Sequence, residues 1–218
     1  RSCLEPLLSY VDILFSSVGE LRNIFGIEKG SLHDTAASAA DRYGISTVAL
    51  MRSEKHSVRR IAWTAVAYSE GSLYEDIPIE VEIVDRIGGG DAFAAGFLYA
   101  YLKKGADVAL ALQYGNATAA LKYTNEALEI FQIVGNKKRL ASVHSLLCDI
   151  KSYMGFKESA IENCRISLDL YETLELSDGK ASLLNSIGNI YLDIGQPEKS
   201  EQYFNQALFI AKSKGDAY

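Results

Sequence analysis

The 218-residue chain has only three cysteines, three prolines and one tryptophan, and it has no long apolar run. The longest uninterrupted apolar stretch, residues 92–102, is well short of the roughly 20 residues that a membrane-spanning helix needs. No basic segment followed by an apolar run opens the sequence, so no secretory signal is visible. The cysteines have no metal-ligand spacing, and we predict reduced thiols in a cytoplasmic protein, with Cys148 and Cys164 buried in a helical core.

Positive charge is also scarce. The 22 Lys and Arg residues are outnumbered by 28 Asp and Glu residues, which gives a formal net charge of -6. A nucleic-acid-binding domain needs clustered positive charge, so this balance argues against that class. Apolar residues make up 48% of the chain and charged residues 23%, which is typical of a folded soluble domain and excludes disorder. We therefore expect neither a nucleic acid nor a membrane as partner.

The first part of the sequence alternates between strand-like and helix-like segments. Short apolar runs predict strands, two such runs around a glycine turn predict a hairpin, and alanine-rich stretches predict helices. The predicted strands are 11–15, 47–51 and 81–84, the hairpin is 61–68 with 72–77, and the helices are 19–27, 31–43, and two starting near 91 and 107. This alternation predicts an α/β fold with a mostly parallel sheet and flanking helices.

The second part contains an internal repeat. Gly115, Gly155 and Gly195 are spaced by 40 residues, and many small and apolar neighbours agree at the same offset. Each full period contains two helical patterns separated by a turn. The predicted helix pairs are 140–154 with 158–174, and 181–194 with 198–212. Helical hairpins of this kind bury their apolar faces by stacking on one another, which predicts an all-α helical array.

Residues 188–208, GNIYLDIGQPEKSEQYFNQAL, resemble the tetratricopeptide repeat family. The usual period of that family is 34 residues, so a period of 40 implies longer helices. The resemblance implies a groove that binds a peptide or protein partner. Asn185, Asn189 and Asp193 follow one another at intervals of four along one helix. They either line such a groove or form an ordinary solvated face.

A glycine-rich run, residues 84–97, VDRIGGGDAFAAGF, carries the chemical signal of the first part. Three glycines before a helix let bare backbone amides approach an anion at the positive end of that helix. Asp91, which follows them, could accept a proton from an attacking hydroxyl. A general base beside such donors is what phosphoryl transfer requires. The alternative is a glycine-rich turn in which Asp91 only caps its helix.

This run, with stretches 10–15, 63–68 and 115–122, resembles the carboxy-terminal part of ribokinase-like sugar kinases, in the form typical of 2-keto-3-deoxygluconate kinases. The resemblance covers residues 1–122 and implies part of a Rossmann-like sheet, ATP with Mg²⁺, and a sugar acid as substrate. It also assigns roles to individual residues. Asp91 is the catalytic base, Gly88, Gly89 and Gly90 form the anion hole, Asp85 lies near a monovalent-cation site, and Asn116 lies on the helix beside the adenine.

Two positions depart from the kinase pattern. The family usually has Asn-x-x-Glu after the first strand, at the Mg-phosphate end, whereas this chain has SVGE, so only Glu20 remains as a candidate metal ligand. The next strand usually ends in a threonine followed by Arg-Glu, whereas this chain has MRSE with Arg52 displaced by one position. Arg52 is either a phosphate contact or a solvated surface charge.

The two resemblances predict two domains, 1–122 and 123–218, that share a helix over 107–134, although Gly115 could instead break that helix into a hairpin. Because the kinase resemblance omits the amino-terminal half that supplies most sugar contacts, we expect incomplete turnover by this chain alone.

An incomplete sheet exposes a strand edge, which favours a homodimer or a bound partner. One hypothesis is a recombined, engineered or computationally generated chain. Its function is then either residual kinase chemistry or a non-enzymatic scaffold that binds a peptide or protein.

Overall fold

The computed structural model describes residues 4–27, 30–57, 60–83, 87–103, 105–176 and 179–215. The chain separates into two compact units, Arg1–Tyr123 and Thr124–Tyr218. The first contains a sheet with flanking helices and the second is a helical array, which confirms the predicted fold class. Among the described residues, no helix has both the length and the apolar character that crossing a bilayer requires.

The first unit alternates helices and strands along the chain. Its elements are a 3-10 helix (Glu5–Tyr10), β1 (Ile13–Ser17), a short helix α1 (Val18–Glu20), a π-helical turn (Leu21–Phe25), α2 (Leu32–Tyr43), β2 (Thr47–Lys55), β3 (Arg60–Ser69), β4 (Ser72–Glu75), β5 (Ile79–Glu82), α3 (Gly89–Lys103) and α4 (Val108–Val134), the last of which extends beyond the unit. Helix α4 is continuous through Gly115, and α3 begins at Gly89 rather than at Asp91.

The five strands form one mixed sheet in the order β1-β2-β3-β4, with β5 also pairing with β3. Strands β1 and β2 are parallel, whereas β3 is antiparallel to β2, β4 and β5. The prediction of a mostly parallel sheet is therefore wrong for the described strands, because β3 pairs with the preceding strand β2 as a long antiparallel hairpin. Since β5 is antiparallel to β3, it runs in the same direction as β1 and β2. The carboxyl ends of these three strands consequently lie at one edge.

Helices cover both faces of this sheet because successive side chains of a strand point to opposite sides. On one face, apolar side chains of β2 and β3 form a buried cluster with α2. Its members include Val48, Leu50, Val66, Ala36 and Ala39. On the other face, the ring of Phe15 on β1 lies 6.0 Å from that of Phe93 and 5.3 Å from that of Phe97, both on α3. The start of α3 is thereby fixed against the sheet.

The second unit contains the end of α4 and two helical hairpins. Its other helices are α5 (Lys137–Tyr153), α6 (Lys157–Thr173), α7 (Lys180–Asp193) and α8 (Pro197–Gly215). Short turns at Gly155 and Gly195, each with positive φ, join the two helices of each hairpin. Both predicted helix pairs are confirmed, and each of these four helices begins one to three residues before its predicted start.

The 40-residue register brings equivalent positions of the two hairpins to the point where their helices approach most closely. A Cβ at Gly188 on α7 would lie 2.6 Å from Cε1 of Phe204 on α8, so only glycine fits there. Cys148 and Cys164 occupy the two equivalent positions 40 residues earlier, and a disulfide joins them. Their predicted burial is confirmed, but the prediction of reduced thiols is wrong. The prediction of a cytoplasmic location relied on reduced thiols, so the disulfide removes that support.

Candidate functional site

The consecutive glycines form the turn that starts α3. Gly88 has a φ of +78°, a left-handed conformation that glycine adopts without steric cost. Its carbonyl accepts a hydrogen bond from the N–H of Ala92 at 2.9 Å, so the first helical turn follows it directly. The N–H groups of Gly89, Gly90 and Asp91 lie in that turn, where no helical carbonyl can accept from them. The turn thus directs backbone donors outward from the positive end of α3.

The turn lies at the carboxyl edge of the parallel strands. Sδ of Met51 on β2 is 3.3 Å from the position that a Cβ of Gly90 would take, and Met51 pairs with Ser17 at the end of β1. Open α/β sheets bind their ligands at the carboxyl ends of strands. Arg52 follows Met51, and Glu20 ends the short helix after β1. The structure therefore brings the glycine turn and Glu20 to the same edge, whereas the side chain of Arg52, which alternates with that of Met51 along β2, points to the opposite face of the sheet.

Asp91 is an exposed residue of the first turn of α3. Its carboxylate makes no hydrogen bond and no ion pair within the described part of the chain. If Asp91 served only as a cap, its carboxylate would accept a hydrogen bond from a first-turn N–H. The side chain is thus open to solvent and to a bound molecule beside the amide donors. Its role as a base stays a prediction.

Glu20 and Arg52 both have local partners. The carboxylate of Glu20 accepts hydrogen bonds from the N–H of Ser17 at 2.7 Å and from its hydroxyl at 2.9 Å, which completes a capping box. The hydroxyl of Ser16 lies 3.4 Å from the same oxygen. Arg52 is exposed and forms an ion pair with Glu54 on the same strand. Their predicted contacts with metal and phosphate stay predictions.

Asn116 is fully buried on α4 and donates from Nδ2 to a carboxylate oxygen of Asp76 at 2.7 Å. The hydroxyl of Thr64 donates to the Asp76 carbonyl at 3.1 Å, so this polar group ties α4 and β3 to the segment after β4. The buried Oδ1 of Asn116 has no hydrogen-bond partner among the described residues.

Asp85, the residue predicted near a monovalent cation, lies outside the described residues. Within them, no three His, Cys, Asp or Glu side chains are grouped to hold a metal.

Two residues that the sequence did not single out lie against the glycine turn. Tyr123 is 2% exposed, and its ring centre is 5.7 Å from that of Trp63 on β3. The side chain of Lys122 passes beside Gly88, with Cε 3.1 Å from the position that a Cβ there would take. Lys122 is the last residue of the stretch 115–122 that resembles the kinase family. Its position beside Gly88 follows only from the packing of α4 against α3.

Close packing behind the turn predicts unequal costs for alanine at its second and third glycines. A Cβ at Gly89 would overlap the hydroxyl oxygen of buried Tyr123, whereas a Cβ at Gly90 would meet only the flexible end of Met51. We expect Gly89→Ala to lower the free energy of unfolding by about 1–3 kcal/mol and Gly90→Ala to change it by less than about 1 kcal/mol. Urea denaturation of the two variants measures this, and equal costs would contradict the described packing.

A polar groove of about 400 Å³ lies between helices of the second unit. Its lining residues come from α5, α6 and α7: Asp149, Ser152, Tyr153, Lys157, Ser186, Asn189 and Asp193. Lys157 pairs with Asp193 at 2.6 Å, which leaves the Asp149 carboxylate as the uncompensated charge among these residues. Asn189 and Asp193, two of the three residues predicted from their spacing, therefore line a groove together.

The carboxyl group of Asp149 gives the second unit a defined pH dependence. Surrounding protein atoms raise the pKa of Asp149 by desolvation, and a hydrogen bond with Ser186 opposes part of that change. Since the folded protein holds this proton more tightly, stability falls as the pH rises from about 4 through the folded pKa. We expect Asp149→Asn to raise the thermal midpoint more at pH 7 than at pH 4. Asp169→Asn, an exposed change on α6, is the control, and a shift independent of pH would contradict this assignment.

Two protein-family models match this chain. Residues 1–130 match the pfkB family of carbohydrate kinases. Residues 139–213 match a tetratricopeptide repeat model. The first match contains the glycine turn and the strands that position it, and the second contains both hairpins.

Individual relatives match the first part of the chain. It is 36% identical over 124 residues to the 2-dehydro-3-deoxygalactonokinase of Haloferax volcanii, covering 57% of this chain and 36% of that protein. It is 38% identical over 104 residues to the cytidine kinase of Thermococcus kodakarensis, covering 46% of this chain and 33% of that protein. The crystal structure of 2-dehydro-3-deoxygluconokinase from Thermotoga maritima aligns with a TM-score of 0.53 at 26% identity, covering 56% of this chain and 39% of that one.

The chain spans about a third of the length of the curated relatives it matches. The kinase family model nevertheless extends over more than half of the 218 residues. Sheet, helix α3 and glycine turn all lie inside that matched range. The chain therefore belongs to the pfkB family of carbohydrate kinases.

Proposed function

We propose that the first unit binds Mg·ATP and directs its terminal phosphoryl group to a hydroxyl of a sugar acid, with Asp91 as the general base. The observation that carries this proposal is the exposed Asp91 carboxylate, which has no partner among the described residues and directly follows the first-turn amides. Membership of a carbohydrate kinase family supports a phosphoryl donor and a carbohydrate acceptor.

The proposed chemistry uses each part of the sheet edge. The amides of the glycine turn stabilise charge on the transferred group, and Asp91 takes the proton from the attacking hydroxyl. We assign Glu20, which follows β1 at this edge, to the Mg²⁺ that accompanies ATP. We assign Arg52 to a phosphate contact from its place in the sequence pattern alone. Asn116 positions the helix beside the adenine, and Asp85 is assigned to a monovalent-cation site.

The acceptor we propose is a sugar acid of the 2-keto-3-deoxygluconate type. Two of the similar proteins, from Haloferax volcanii and Thermotoga maritima, carry names of 2-dehydro-3-deoxy sugar kinases, whereas the Thermococcus kodakarensis relative is named a cytidine kinase. Positioning of a substrate can be worth about 7–11 kcal/mol of a reaction barrier. Since these residues correspond to about a third of a relative, we expect nucleotide binding with little turnover by residues 1–218 alone.

Calorimetric titration with Mg·ATP tests this proposal, read beside an ADP-release assay with 2-keto-3-deoxygluconate and with cytidine. We expect saturable nucleotide binding, and any transfer should favour the sugar acid over cytidine. No binding at millimolar Mg·ATP would contradict the kinase site and would favour the alternative of a non-enzymatic scaffold. Binding with transfer to cytidine alone would keep the site but overturn the acceptor.

We also propose that the polar groove of the second unit binds a protein segment through a lysine or arginine side chain. The uncompensated carboxylate of Asp149 and the amide of Asn189 suit a cationic donor, and the only lysine of the described lining is paired with Asp193. Selection of random displayed peptides on the full chain tests this. We expect enrichment of basic peptides whose binding falls with Asp149→Asn but not with Asp169→Asn. Enrichment of peptides without basic residues would contradict the proposal.

We further propose that the chain forms a homodimer through its sheet. Strand β1 pairs only with β2 among the described strands, so its other edge is open to a second strand. Sedimentation velocity over a range of concentrations should show a monomer–dimer equilibrium. A single monomer boundary at every concentration would contradict it.

A further inference from the structure

Lys122 is a basic residue whose side chain lies directly beside the glycine turn. Its Cε is 3.1 Å and its Nζ is 4.0 Å from the position that a Cβ of Gly88 would occupy. A side chain at Gly88 would therefore compete with the lysine for space. The absence of that side chain lets the ammonium group approach the start of α3 closely.

The ammonium group is held in place on a second side as well. Nζ of Lys122 lies 4.9 Å from the centre of the Tyr123 ring, within the range of a cation–π contact. Tyr123 is itself buried and packs by its hydroxyl against Gly89, so the ring forms a fixed surface. Lys122 is half-buried, and its charge is already positioned before a ligand binds.

The electrostatics of this position favour an anion. The amino-terminal end of α3 carries partial positive charge, and a cation next to such an end is unfavourable. An anion that contacts both the first-turn amides and the ammonium group interacts favourably with each of them. The amides of the turn and the nearby ammonium group are therefore both suited to one anion.

We propose that Lys122 contacts the terminal phosphate of the bound nucleotide, together with the amides of the glycine turn. This inference rests on the proposed nucleotide site of the first unit and adds to it a cationic group contributed by α4. A charged hydrogen bond of this kind accounts for about a tenfold to hundredfold gain in affinity. The gain applies to ATP and not to nucleotides that lack the terminal phosphate.

Three substitutions separate this role from packing. Lys122→Met keeps the stem of the side chain beside Gly88 and removes the charge, and Lys122→Arg keeps the charge. Lys103→Met removes an exposed lysine from the opposite end of α3 and is the matched control. Thermal unfolding of each variant shows whether the first unit remains folded.

Calorimetric titrations with Mg·ATP and with AMP give the result. We expect Lys122→Met to lower the affinity for ATP by about tenfold or more, with AMP affinity unchanged, Lys122→Arg to recover most of the loss, and Lys103→Met to behave as wild type. Equal ATP affinity in Lys122→Met and wild type would overturn the inference while leaving the kinase site intact. Equal losses for ATP and AMP, with or without a lower thermal midpoint, would show a packing role and also overturn it. Failure of the wild type to bind ATP would reject the proposed function first, and this inference with it.

Discussion

Asp91→Asn is expected to lower the rate of phosphoryl transfer from ATP by about 10²- to 10⁴-fold, the usual contribution of a general base. Asparagine has nearly the same shape but cannot accept the proton of the attacking hydroxyl. The Asp91 side chain is exposed and makes no hydrogen bond within the described residues, so its replacement should leave the fold unchanged. An ADP-release assay with 2-keto-3-deoxygluconate, run at high protein concentration because we expect little turnover by this chain, measures the effect.

The same substitution has an opposite effect on binding. A carboxylate beside bound phosphates repels them, so Asp91→Asn should leave the affinity for Mg·ATP unchanged or make it tighter. This outcome can be measured by calorimetry even when turnover is slow. Asp41→Asn, an exposed change on α2, is the control for general charge effects. A large loss of ATP affinity in Asp91→Asn, or an unchanged transfer rate, would contradict its assignment as the base.

Reduction of the disulfide in the second unit is expected to lower the free energy of unfolding of that unit by about 2–4 kcal/mol. The disulfide joins Cys148 on α5 to Cys164 on α6 across a sequence separation of 16 residues, and both cysteines are buried. Closing a loop of this length in the unfolded chain removes conformational entropy that reduction restores. Urea denaturation with and without reductant measures the difference.

The repeat register supplies a matched variant for this test. Gly188 and Phe204 occupy the positions equivalent to the two cysteines. Cys148→Gly combined with Cys164→Phe copies that pair into the first hairpin, and its stability should not respond to reductant. Thiol titration of the unfolded, unreduced wild type should find one free thiol among three cysteines. Three free thiols would contradict the disulfide.

The elements were predictable from the sequence because their signals are local. Ser31 caps α2 in the expected way, with its hydroxyl accepting from the N–H of Asp34 at 3.0 Å. The 40-residue repeat located both hairpins, since a repeated pattern of small and apolar positions reports the packing of each unit. The glycine run located the start of α3 to within two residues, because positive φ at Gly88 is a local requirement.

Features that depend on long-range packing were not predictable. Whether β3 runs parallel or antiparallel to β2 depends on where the chain turns back, and the apolar pattern of β3 is the same in either direction. The disulfide requires two positions of a hairpin to face each other. The contact of Lys122 with the glycine turn requires α4 to lie beside α3, and the buried hydrogen bond between Asn116 and Asp76 joins positions 40 residues apart. None of these relations is encoded in adjacent residues.

The central claim is that the glycine turn binds the terminal phosphate of a nucleotide, and glycine amide resonances test it most directly. In protein labelled with ¹⁵N-glycine, titration with Mg·ATP should shift the resonances of Gly88, Gly89 and Gly90 together along one saturating curve. Gly155 and Gly195 of the second unit should not move, and AMP should leave all five nearly unchanged. Saturating Mg·ATP binding that shifts other resonances while these three stay fixed would contradict the account.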